Sequence, residues 1–202
     1  MFYKKLSKII TVIFIISMAS IANATPILHL QTSGGKLVGA QNVDVNGTFY
    51  DVEFLDGRCD SLFNGCDNAK QDFAFTTQIE ALYAASALID KVLLDGLPGK
   101  FDTFPGRTTG CTDTFSCAIW IPYGLYTAFD GNHVNVVKAI NTQSFDYTVG
   151  SNAFVSEDTA KYTYATYARF QKAKIPEPDV LGLLAAGAVA GFMARRRQRR
   201  AN

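Results

Sequence analysis

The sequence predicts an α+β domain: a mostly antiparallel sheet with one main helix at about 78–95, set between two terminal apolar runs. Three observations lead there. Only one central segment repeats its apolar residues at helical spacing. Five or six short runs alternate like half-buried strands. With no second helix available for crossovers, antiparallel pairing is expected. No internal repeat is visible, which argues against a solenoid.

The start, "MFYKKLSKIITVIFIISMASIANATP", places Lys4, Lys5 and Lys8 before an apolar run at 9–21, with Ala22 and Ala24 spaced as in an A-x-A cleavage site. Thirteen residues rise only ~20 Å as a helix, short of the ~30 Å hydrocarbon layer. Residues 1–24 are therefore expected to be a cleaved signal peptide, leaving Thr25 as the mature start.

Residues 25–174 form the expected exported domain, with the usual size of one domain. In "KLVGAQNVDVNGTFYDVEFLDG", Asn46-Gly47 separates two alternating runs, a signal for a type I′ hairpin turn. Tyr50, Val52 and Phe54 share one face of the second arm and are expected inward; Phe49, Asp51 and Glu53 share the other. Four cysteines, Cys59, Cys66, Cys111 and Cys117, in an exported chain imply two disulfides. Short loops favour Cys59 with Cys66 and Cys111 with Cys117, each contributing about 2.5 kcal/mol, and a crossed pairing stays open. Zinc prefers closer spacings.

Thr77-Gln-Ile-Glu80 fits a capping box. Ile79, Leu82, Tyr83, Ser86, Ile89 and Leu93 follow at helical spacing, and Gly96 and Pro98 are read as the stop. Strand-like runs are expected at 118–121, 133–140, 145–149 and 162–170.

Charge excludes one class of partner. The domain holds eleven basic groups against sixteen acidic ones, a net charge of −5. The remaining basic groups sit at the two ends. An acidic module is repelled by phosphate backbones, so no nucleic acid is expected.

No catalytic motif is present. His29 and His133 stand outside any recognisable pattern, and there is no G-x-S-x-G, H-E-x-x-H or phosphate-cradling loop. No enzyme, metal site or cofactor is expected. Asp56, Asp60, Asn64, Asp67, Asn68 and Asp72 are oxygen donors of the kind calcium uses, but without EF-hand spacing they read as turns. Trp120, Tyr123 and Tyr126, with Phe129 nearby, could stack on sugar rings; core packing is the competing use.

The chain closes on "IPEPDVLGLLAAGAVAGFMARRRQRR", residues 175–200. Pro176 and Pro178 force an extended strip around Glu177. Asp179 is placed to cap a helix over 180–194, uncharged and ~23 Å long. Arg195, Arg196, Arg197, Arg199 and Arg200 stay cytoplasmic by the positive-inside rule, so this helix is expected to enter the membrane. An ordinary single-span anchor is the competing use.

Pro-Glu-Pro, a slim helix and a terminal arginine cluster resemble the PEP-CTERM sorting signal of exported proteins. The resemblance implies a tail at 175–202 that is cut near Pro176, Glu177 and Pro178 by a membrane-embedded exosortase. It also implies transient inner-membrane anchoring, then release to the cell surface or beyond. Asp179 departs from the small hydroxyl residues common after the motif. "GTFYDVEFLDGRCDSLFNGCD" is similar to small secreted PEP-CTERM proteins of unassigned function and implies no activity. The expected partners are the export machinery and an exosortase-type enzyme, with exopolysaccharide as candidate ligand. The expected role is structural or adhesive in an extracellular matrix or biofilm; the alternative is a small secreted hydrolase acting on matrix polymers.

Overall fold

The computed structural model describes residues 25–31 and 34–174. The signal residues with Ala22 and Ala24, and the tail with Pro176, Glu177, Pro178 and the helix expected at 180–194, lie outside the described residues.

Among the described residues, nine strands and three α-helices follow in chain order. They are β1 (Ile27–Leu30), β2 (Leu37–Val45), β3 (Thr48–Leu55), α1 (Cys59–Leu62), α2 (Ala69–Asp72), α3 (Gln78–Lys91), β4 (Asp95–Gly96), β5 (Gly99–Lys100), β6 (Ser116–Ala128), β7 (Gly131–Thr142), β8 (Tyr147–Phe154) and β9 (Ala165–Lys172). Seven strands form one sheet in the order β1-β2-β3-β9-β6-β7-β8, and β4 and β5 pair separately.

The first hairpin forms as its turn residues require. Asn46 and Gly47 hold φ of 49° and 83°, the left-handed pair of a type I′ turn. Tyr50, Val52 and Phe54 are buried as their alternation predicts.

The sheet separates two cores, and each contains one disulfide. On the α3 side Ile119, Ile121, Val137, Ala168 and Phe170 pack with Val52, Phe54 and the Cys111–Cys117 pair. On the other side Trp120, Val134, Val136 and Tyr167 pack with Phe63, Phe73 and the Cys59–Cys66 pair. Both bridges thus join the close cysteines.

The sheet is mixed, because β6 and β9 run parallel through Ala118↔Ala165, Ile119↔Thr166 and Trp120↔Tyr167. The crossover that permits this is not a helix. Residues 155–164 return over the face opposite α3, pinned where Thr159 N–H donates to the Gly57 carbonyl (2.9 Å) and Thr159 Oγ1 to Asp56 Oδ1 (2.7 Å). Beyond Trp120 and Tyr167 the two strands cease to pair. There, beside Ile121, Pro122, Ala168 and Phe170, residues 73–75 pass from one face to the other, so Phe73 joins one core and Phe75 the other.

Helix α3 differs from the sequence expectation in two ways. It starts at the capping box, where Glu80 N–H donates to Thr77 Oγ1 at 3.3 Å and Thr77 N–H to Glu80 Oε2 at 3.2 Å. It ends at Lys91, not 95: Val92 caps it, while Gly96 ends β4 and Pro98 lies in the turn to β5. Second, its buried face is Ala81, Ala84, Ala85 and Leu88, while Ile79, Leu82 and Tyr83 are exposed. An alanine ridge lets the helix backbone lie close on the sheet, which decides the orientation over the larger residues.

The late strands are longer than expected, since β6 and β7 extend into one hairpin of thirteen and twelve residues. The last strand begins at Ala165 rather than 162, because Thr159–Lys161 form a 3₁₀ turn that ends the crossover.

Candidate functional site

Both ends of the described domain emerge at one end of the sheet. Strand β9 lies between β3 and β6, and its last sheet bond is the Ala173 N–H donating to the Phe49 carbonyl at 2.9 Å. Lys172 stands opposite Tyr50, so the chain leaves beside the Asn46-Gly47 turn. Thr25 and Pro26 line a cleft of about 370 Å³ with Asp44, Phe49, Lys91 and Leu94, at that same end. Lys91 clamps it by donating to the Asp44 carbonyl (2.8 Å) and carboxylate (3.2 Å). A bond from the Gly47 N–H, then the Lys91 ammonium, hold the Asp44 carboxyl below the ordinary aspartate range.

A second cleft, of about 460 Å³, opens on the sheet face away from α3. His29, Gly39, Asp51, Glu53, Arg169 and Gln171 line it, because alternate residues of β1, β2, β3 and β9 point there. Arg169 Nη2 pairs with Glu53 Oε2 at 2.6 Å, and Asp51 Oδ1 accepts from the Asn42 N–H at 3.1 Å. That second bond accompanies a left-handed Asn42 (φ 57°) at the irregularity between β2 and β3. The cleft is open and carries two carboxylates against one guanidinium, a mildly acidic surface able to exchange hydrogen bonds with a hydroxyl-rich ligand. Sequence reasoning missed it because four strands supply it and only their register brings these side chains together.

The aromatic residues separate. Trp120 is buried, 4% exposed, on the face away from α3, edge-on to Tyr167 at 5.4 Å and under the Lys138 ammonium at 4.3 Å. Burial holds the Lys138 ammonium pKa below its usual value. Tyr123 is half-buried against the α3-side core. Tyr126, 39% exposed, stacks on His133 at 4.9 Å, and His133 in turn meets Phe154 at 4.4 Å. The three tryptophan and tyrosine candidates therefore share no single platform. Of these candidates only Tyr126 offers an exposed ring, with Phe154 across His133, which is fixed by Asp130 Oδ1 at 3.0 Å from its Nε2.

The acidic loop is occupied by its own backbone and by neighbouring side chains. Asp72 accepts from the Asp67 and Asn68 N–H groups (3.0 and 2.8 Å), Asp60 pairs with Arg58, and Asp56 accepts from Thr159. Among the described residues no group of three or more His, Cys, Asp or Glu is placed to hold a metal ion. Among them, too, no helix is long and apolar enough to cross a membrane.

No curated protein and no solved structure matches the chain. One family does, over a stretch that begins one residue after the Ala173 bond closing β9. Residues 174–198 match the PEP-CTERM protein-sorting motif, so this chain carries a PEP-CTERM sorting signal, which supports exosortase-dependent sorting towards the cell surface.

Proposed function

We propose that the 25–174 domain is a non-enzymatic structural or adhesive component of the cell envelope or extracellular matrix, delivered by a cleaved signal peptide and released at Pro176, Glu177 and Pro178. The observation that carries this reading is the sorting motif joined directly to a disulfide-stapled domain. The cleft lined by Asp51, Glu53 and Arg169, and the exposed Tyr126 and Phe154 on either side of buried His133, suit hydroxyl groups and sugar faces, so exopolysaccharide is the ligand proposed. The test is retention of the mature protein on isolated exopolysaccharide. Retention that falls in Tyr126→Ala, with no new reducing ends released, supports an adhesive role.

The competing hydrolase reading draws on Asp51 and Glu53, two carboxylates on one strand face beside His29 and Arg169. Release of sugar that disappears in Asp51→Asn or Glu53→Gln, with folding intact, would establish it and displace the adhesive role.

A further inference from the structure

The end of the sheet that emits both chain termini also carries an apolar residue with no role in the fold. Phe129 occupies the two-residue turn between β6 and β7 and is fully exposed. Such turns favour Gly, Asn or Asp, and a phenylalanine there adds nothing to the core. Tyr126 and Phe154 beside it, and Ile27 and Leu94 near the mature start, are exposed on the same end.

Resting on the sorting-tail reading, we infer that this end of the sheet faces the bilayer while the tail is inserted, with Phe129 seated in the headgroup interface of the membrane from which the domain hangs. The lengths agree. Five residues separate Lys174 from the apolar run at 180–194, a reach of at most ~17 Å fully extended. Strand β9 ends five residues past its last pairing with β6, at Lys172, whereas β6 runs eight past Trp120 to Ala128. Allowing for the irregularity between Pro122 and Gly124, the Phe129 turn overhangs Lys172 by ~10 Å of strand. That overhang falls within the tether. Aromatic side chains favour this interface, and although Lys91 is already paired with Asp44, Lys172 and Lys174 at the same end offset the charge of Asp90 and Asp130 beside the membrane. Held this way, the domain presents its polar cleft sideways and keeps the Pro-Glu-Pro strip at the membrane surface.

The test uses the full chain, made in a host without an exosortase and incorporated into phosphatidylethanolamine–phosphatidylglycerol vesicles. Phe129→Trp reports the proposed contact. Phe145→Trp, on the exposed turn between β7 and β8 at the opposite end, is the comparison, and native Trp120 supplies a buried baseline. The inference requires that the Phe129→Trp indole shift to the blue on vesicle binding. It also requires quenching by doxyl-labelled lipid several-fold above that of Phe145→Trp. Equal quenching of both variants in protein that floats with the vesicles overturns the inference and leaves the sorting tail standing. Failure to float overturns membrane insertion itself, and the inference with it.

Discussion

Replacing Trp120 with alanine separates a core indole from a sugar-binding one. The side chain is 4% exposed and packs edge-on to Tyr167, itself fully buried, with Lys138 over its ring at 4.3 Å. Truncating a buried tryptophan costs about 3–5 kcal/mol through lost transfer energy and the cavity left behind. The lost cation–π contact keeps the value towards the upper half, because the half-buried Lys138 ammonium loses its partner. A loss of about 4 kcal/mol corresponds to ~8–16 °C in Tm for a domain of this size. Urea unfolding of the mature protein measures it, provided the m-value is unchanged. Destabilisation below ~1.5 kcal/mol, together with weakened polysaccharide retention, would refute this placement of the indole.

Thr77→Ala removes the helix cap and should cost about 1 kcal/mol by urea unfolding. The Thr76 N–H, then the Thr77 hydroxyl, hold the Glu80 carboxyl below its ordinary pKa of 4.5. Its contribution is therefore present above the unfolded pKa and is lost as pH falls through the lower folded value. Glu80→Gln should be less stable than the parent near neutrality and converge with it in acid; a constant gap contradicts this. Tyr167→Phe should leave stability within ~0.5 kcal/mol or raise it, since among the described residues the buried Tyr167 hydroxyl has no hydrogen-bond partner. A loss above ~1.5 kcal/mol would reveal a bond to that hydroxyl. Pro176→Ala combined with Pro178→Ala should leave uncut full-length chain in membranes of an exosortase-bearing host, read by immunoblot.

Local signals were legible and long-range ones were not. Asn46-Gly47, the inward Tyr50, Val52 and Phe54, and the Thr77–Glu80 box are decided within a few residues by turn geometry, pleat and capping, and the structure has each as the sequence implies. The face that α3 buries is not the one hydrophobicity marks: Ile79, Leu82 and Tyr83 outweigh Ala81, Ala84 and Ala85 in any hydrophobic pattern, whereas close approach to the sheet favours the small residues. The parallel β6–β9 pair was hidden because its crossover is an irregular segment held by Thr159, with no helical period to detect. Trp120 and Tyr126 lie six residues apart in one strand. The irregularity after Pro122 turns them to opposite faces, so only register reveals that Tyr126 meets His133 and Phe154. The tail was legible as order and spacing of residue types, and the sorting motif matches over that same stretch.

Intact mass of the protein recovered from the cell surface or culture fluid, in a host that possesses the exosortase, tests the central claim most directly. The expected species begins at Thr25, ends close to Pro176, Glu177 and Pro178, lacks the arginine cluster and is oxidised at both cysteine pairs. Recovery of the chain solely in the inner membrane, still carrying residues 180–202, would contradict it.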